Sequence, residues 1–499
     1  MRASGILLPI FSLPGKYGIG CFSKEAYDFV DFLAAAKQKY WQILPVGPTS
    51  YGDSPYQSFS TFAGNPYFID LEKLIEQGLL TREECDKTNF GTRDDDIDYG
   101  QMYIARFKVL RQAFAAARDK LDENFRKFIK ENDFWIQDYA LFMAIKDANG
   151  GKSFYQWEEG LRRHDDKALE KFASKHEQEI TFYQWLQYEF YTQWYALKAY
   201  ANEKKVQIIG DIPIYVAEDS ADVWAHPELF QMDEEGNPKA VAGCPPDGFS
   251  ATGQLWGNPL YLWEYHKKTG FAWWIQRIKK CNELYDMIRI DHFRGFDQYY
   301  SIPAGSENAV HGEWEDGPGL ELFTAIKNAL GELNIIAEDL GYITDSVRQL
   351  VKDTGFPNMK VLEFAFDARD QKDSEETNDY LPFNYDKNCV VYTGTHDNET
   401  LRGWLGNITP AEFRQVQNYC DEKSKDFGVL TDKLVRQAQA STANICIIPL
   451  QDYLKLDNHA RINMPSTTGK NWKWRLQAKQ LDDMVLRKIR NLTRIYGRG

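Results

Sequence analysis

Eight short apolar stretches, at residues 4–9, 40–44, 206–210, 287–291, 335–337, 359–362, 389–393 and 444–449, constrain this chain more than anything else in it. Most are followed by helical periodicity, and no hairpin signals lie between them. Strands that are apolar on both faces need cover on both, which favours parallel pairing through crossover connections. Eight of them close into a (β/α)8 barrel. A doubly wound open sheet is the alternative, but no Gly-x-Gly-x-x-Gly turn or Walker loop supports a nucleotide site.

A chain of 499 residues is long for one barrel, so a single catalytic domain over 1–499 carries insertions. Residues 65–200, after the second strand, read as a helical insertion. Tyr103, Phe107, Leu110, Phe114, Ala117 and Leu121 share one helical face there, and Trp135, Tyr139, Phe142 and Met143 another. Tyr183, Leu186, Phe190, Trp194 and Leu197 mark its last helix. Residues 217–285, after the third strand, form a second insertion rich in Gly, Pro and Trp. Farther on, Thr409-Pro-Ala-Glu412 has the pattern of a capped helix start.

A net charge of −14 opposes binding to nucleic acid or anionic lipid, so a neutral substrate fits better. Aromatic residues reach 14%, enough to stack on sugar faces as well as fill a core. Seven scattered cysteines without a Cys-x-x-Cys pair read as thiols of a reducing cytoplasm. The apolar start at 5–13 is broken by Pro9 and followed by Pro14, so it reads as a first core strand rather than a signal peptide, and no membrane span follows.

The strand ends carry the chemistry. In a barrel of this kind they converge on one mouth, and Asp211, Asp291, Glu338 and Asp397 all follow strands. Several carboxylates around one mouth suit a metal site or glycosidic chemistry. His292 and His396 could join as ligands, but Arg289 and Arg294 would repel a cation, while favouring the ionised form of a nucleophilic Asp291. Retaining glycosyl chemistry needs one ionised and one protonated carboxyl. Glu338, approached through Ile335, Ile336 and Ala337, suits the protonated role. Asp397 could hold sugar hydroxyls, or simply cap a helix.

Taken together, Ser54-Pro-Tyr-Gln-Ser58, Gly64-Asn-Pro66, Gly210-Asp-Ile-Pro213, Gly253-Gln-Leu-Trp-Gly-Asn-Pro259, Arg289-Ile-Asp-His-Phe-Arg-Gly295, Ala337-Glu-Asp-Leu-Gly341 and Thr395-His-Asp-Asn398 resemble the 4-α-glucanotransferases of the amylomaltase or disproportionating-enzyme family, in the α-amylase clan. The resemblance runs from Gly5 to the C-terminus. It implies Asp291 as nucleophile, Glu338 as general acid/base and Asp397 as transition-state stabiliser. Arg289 and His396 would hold the same sugar, supported by Asp211, and His292 would be a further substrate-binding residue. Tyr56 would lie beside the transferred sugar, Trp256 and Asn258 on a loop of the 217–285 insertion arching over the cleft, and Asn463 facing the cleft from the last loop. The substrates implied are malto-oligosaccharides and starch- or glycogen-derived α-glucans, with no metal, nucleotide, phosphate or other cofactor. Retaining hydrolysis, or glucan binding without turnover, are the alternatives. Ser466 stands where many members have glycine, and Gly248 where some have tyrosine; both departures touch the cleft rim.

Overall fold

The computed structural model describes residues 2–50, 52–246, 250–366 and 378–499. Tyr51 and Gly248 lie outside them. The strands, in chain order, are β1 (Ala3–Leu7), β2 (Tyr40–Gln42), β3 (Gln207–Pro213), β4 (Ala240–Cys244), β5 (Gln254–Pro259), β6 (Met287–Asp291), β7 (Gln298–Pro303), β8 (Glu313–Asp316), β9 (Ile335–Ala337), β10 (Asn358–Val361), β11 (Cys389–Tyr392) and β12 (Ile445–Pro449). Eight of them close a parallel barrel in the order β1-β2-β3-β6-β9-β10-β11-β12, with β12 returning to β1. These are the eight apolar stretches of the sequence.

Strand alternation divides the apolar core in two. Leu7, Ile209, Ile336, Met359, Val390, Tyr392 and Ile447 form one cluster with Ile445. Their neighbours along the same strands, Ile6, Ile208, Ile335, Val391, Cys446 and Ile448, belong to a much larger cluster that the helices cover. The first set fills the barrel and the second anchors the outer ring. Gly210 permits the tight fit outside β3, where a Cβ would come within 2.2 Å of the Tyr285 ring.

Between β2 and β3 the chain forms helices at Tyr99–Ala117, Glu123–Glu131, Asp133–Ala148 and Glu177–Glu203, with shorter ones around them. The inward face of the first carries Met102, Ala105, Arg106, Val109, Leu110, Ala113, Phe114 and Ala117. Tyr103, expected on that face, is 57% exposed, and Leu121 lies past the helix end. The stripe is rotated because Arg106 goes inward, where its guanidinium donates to the Tyr67 carbonyl. Polarity hid it from an apolar periodicity.

The lack of hairpin signals proved misleading at one place. β4, β5, β7 and β8 make a second, antiparallel sheet in the order β5-β4-β7-β8. Its strands are interrupted by Gly and Pro in β5 and charged in the Glu-Trp-Glu-Asp of β8, so neither shows alternation. The 217–285 stretch also contains the helix Ala272–Leu284, which packs against the helix Gly319–Leu330. That helix is the crossover into β6, so the loop-rich part ends before it. Among the described residues, no helix is long and apolar enough to cross a membrane.

Candidate active site

β6 places Arg289 and Asp291 on one side of the strand, two residues apart. Arg289 Nη1 lies 2.8 and 2.7 Å from the two oxygens of Asp211 and 2.9 Å from Asp291 Oδ1. Asp211, expected to end its strand, sits inside a β3 that runs on to Pro213, opposite Arg289 and fully buried. It also accepts a hydrogen bond from the Tyr56 hydroxyl at 2.9 Å. Arg294, expected to share in keeping Asp291 ionised, turns away from it. Its Nη1 donates to the Tyr342 carbonyl at 2.8 Å and its guanidinium lies 3.8 Å from the Trp314 ring centre. Arg289 is thus the cation that touches Asp291.

His292 follows with φ of 53°, a left-handed conformation that a bulky residue adopts at a cost. In that conformation its N–H donates to Glu338 Oε2 at 2.6 Å, while the N–H of Leu340 donates to Oε1 at 2.8 Å. Both oxygens of Glu338, just past β9, are held by backbone. Burial pushes its carboxyl up, and the negative charge of Asp291 adds to this, to about 7 in spite of Arg289 and the two amides. Burial also raises Asp291, but contact with Arg289 holds it nearer 6. The Arg289 contact thus favours the charged form of Asp291, while burial and the Asp291 charge favour the neutral form of Glu338.

Asp397 lies in the turn after β11. Asn398 Oδ1 accepts from the Thr395 N–H at 2.9 Å and the Thr395 hydroxyl at 2.8 Å, and that hydroxyl accepts from the Asp397 N–H at 3.2 Å. Asp397 does not cap the next helix, Leu401–Asn407; Thr400 does. Asn463 Nδ2 donates to Asp397 Oδ1 at 2.6 Å and His396 Nε2 stands 3.3 Å from Oδ2. Burial opposes ionisation of Asp397, but His396 and Asn463 outweigh it and hold the carboxyl well below the usual range. The Tyr56 ring stacks on His396, with centres 5.2 Å apart and planes 15° apart.

A cleft of about 640 Å³ is lined among others by Tyr56, Asp291, His292, His396, Asp397 and Asn463, while Glu338, Arg289 and Asp211 stand behind that lining, Glu338 bonded to the His292 N–H. Trp256 also lines it, its ring edge-on to His292 with centres 4.7 Å apart. Asn258 touches the cleft wall, but its side chain is committed to protein partners. Nδ2 donates to the Val216 carbonyl at 2.7 Å and Oδ1 accepts from Gln57 at 3.2 Å. Ser466 sits on the rim with φ of 62°, where an L residue is strained and glycine is not.

Three residues escaped the sequence reading. Trp472 lines the cleft and packs beside Tyr56 and His396, yet it follows no strand. Tyr215 lines it from just beyond β3. Glu363, two residues after β10, is a strand-end carboxyl like the others, but it lies buried behind the Asp397 turn. Burial, with Asp452 and Glu399 nearby, raises its carboxyl well above the usual range, against an Asn398 hydrogen bond and Arg461. Its strand-end position was the available signal. Among the described residues, no group of three or more His, Cys, Asp or Glu is placed to hold a metal.

A parallel barrel whose mouth gathers a cation-paired aspartate, a glutamate of raised pKa and a strongly acidic aspartate defines an enzyme of carboxylate-based chemistry. The model of the 4-alpha-glucanotransferase family matches residues 8–481, and the chain belongs to that family. It is 48% identical over 496 residues to a 4-alpha-glucanotransferase of Clostridium butyricum, covering 98% of this chain and 99% of the relative. A 4-alpha-glucanotransferase of Thermus thermophilus is 46% identical, over 96% of each chain. Among solved structures, the amylomaltase from Streptococcus agalactiae in complex with acarbose superposes with a TM-score of 0.96 at 42% identity, over the whole of both chains.

Proposed function

We propose that this 4-α-glucanotransferase works by double displacement, with Asp291 as nucleophile and Glu338 as acid and then base. Asp291 attacks the anomeric carbon of an α-1,4-glucan while Glu338 protonates the departing glycosidic oxygen, leaving a glucosyl ester on Asp291. Glu338, now ionised, takes the proton from the 4-hydroxyl of an acceptor glucan, which attacks the ester and restores the α-configuration. Asp397, kept ionised by His396 and Asn463, accepts hydrogen bonds from hydroxyls of the reacting sugar. Arg289 keeps Asp291 charged, and Asp211 holds Arg289. Tyr56 and Trp256 pack against the glucan, while Asn258 positions the wall. The protein fold supplies these groups itself, without a metal or other cofactor.

One observation carries this reading. Glu338 is fixed by the N–H of His292, the residue after Asp291, so one peptide unit joins the two carboxyls whose order of ionisation the reaction needs. Thiols that form no disulfide among the described residues, which include all seven cysteines, fit a cytoplasmic site of action.

Incubation with maltotriose, without phosphate or added metal, tests it. Glucose together with maltopentaose and longer products, abolished in Asp291→Asn, is the expected outcome. Glucose and maltose alone, with reducing ends rising steadily, would mean hydrolysis and sink the transfer reading. Unaltered turnover in Asp291→Asn would remove Asp291 from the role given to it.

A further inference from the structure

Near the acid/base, but outside the cleft residues described above, Arg294 and two aromatic rings form a compact triangle. Trp314, from β8, and Tyr342 lie nearly parallel, with ring centres 6.4 Å and planes 22° apart. The Arg294 guanidinium approaches both, at 3.8 Å from the centre of the first ring and 5.8 Å from the second. Trp314 is braced in turn by the buried Tyr300, edge-on at 5.1 Å. Arg294 is only 3% exposed, and its Nε and Nη2 have no hydrogen-bond partner among the described residues. The π faces and the Tyr342 carbonyl therefore do much of the holding of its charge.

Tyr342 is 69% exposed. An aromatic ring left in water but flanked by a second ring and a guanidinium has fewer orientations open to it before any ligand arrives, which is what a stacking platform needs. Its place along the chain indicates the ligand. The acid/base must act at the oxygen between the sugar being transferred and the sugar leaving or arriving. Glu338 is held by the N–H of Leu340, and the same loop continues to Tyr342 two residues later. On the mechanism proposed above, a ring carried outward from that carboxyl belongs to the acceptor side.

We propose that Tyr342 is a stacking platform for a glucose of the acceptor chain beyond the one that reacts. It would favour acceptors long enough to reach it, through contact between the ring and the apolar face of the sugar.

Transfer from a fixed amylose donor to glucose or to maltotetraose, in wild type, Tyr342→Ala and Tyr342→Phe, tests this. Tyr342→Ala should lower the ratio of the KM for glucose to the KM for maltotetraose by about three- to tenfold, the worth of one aromatic contact. Tyr342→Phe should restore the ratio. An unchanged ratio in Tyr342→Ala overturns the proposal, whether both constants stay put or both move together as they would if Tyr342 merely covered Arg294. A wild-type protein that transfers to neither acceptor would instead bring down the mechanism, and this proposal with it.

Discussion

Arg289 Nη1 lies within 2.9 Å of three carboxylate oxygens, two on a fully buried Asp211 and one on Asp291, whose side chain keeps 29% of its exposure. Asp211 offsets the cost of burying the guanidinium, and what remains of the field draws Asp291 down toward ionisation. On the proposed mechanism turnover needs Asp291 charged and Glu338 protonated, so kcat/KM should be greatest between about pH 6 and 7. It should fall below that window as Asp291 gains a proton and above it as Glu338 loses one. The two act as a coupled pair, so both limbs report apparent values. A glucosyl fluoride donor, whose leaving group needs no acid, should weaken the alkaline limb of the first step; a stopped-flow pH series would show an unchanged limb if Glu338 is not the acid. Asp291, Glu338 and Asp397 were legible because each follows a strand that could be recognised. The burial of Asp211 was not, since an extra turn of pleat beyond Gly210 leaves no mark in composition. Trp472 was hidden by distance, as nothing local ties it to a cleft built elsewhere in the chain.

Loops and strands behave differently from one another in this respect. The eight barrel strands stand out because burial on both faces makes them continuously apolar, whereas β5 and β8, covered less evenly, carry Gly, Pro and acidic residues that read as loop. The rim loop holding Ser466 is pinned by Asn471, whose side chain accepts from the Met464 N–H at 3.0 Å and donates to the Thr467 carbonyl at 2.9 Å. That bracing holds Ser466 at positive φ. Ser466→Gly should therefore stabilise the protein by up to about 1 kcal/mol, the strain relieved less the greater freedom glycine gives the unfolded chain. A urea melt would show it, and a loss of stability would mean that the serine hydroxyl makes up for its backbone.

At the scale of the whole molecule, the barrel is closed by its first and last strands. Arg498 is buried at that seam, donating from Nη1 to the Ala3 carbonyl at 3.1 Å, from Nε to Gln439 at 2.8 Å and from Nη2 to Ser441 at 3.0 Å. Arg2 reaches across the same seam, to the carbonyls of Ser441 and Tyr496. Arg498→Ala should cost about 2–4 kcal/mol, because it strands several buried carbonyls. Amide exchange at β1 and β12 should accelerate before that of β6 and β9, and uniform acceleration would argue against a local seam.

The pairing of β1 with β12 also sets a schedule for biosynthesis. β1 begins at residue 3 and its partner at residue 445. At 5–20 residues per second, a ribosome makes β12 about 20–90 s after β1. Throughout that interval one edge of the nascent sheet is unsatisfied, held by helices that can fold early but not by the strand that completes it. Slow synthesis at high temperature, or a shortage of chaperones, would be felt first there, as aggregation of growing chains rather than as instability of the finished enzyme.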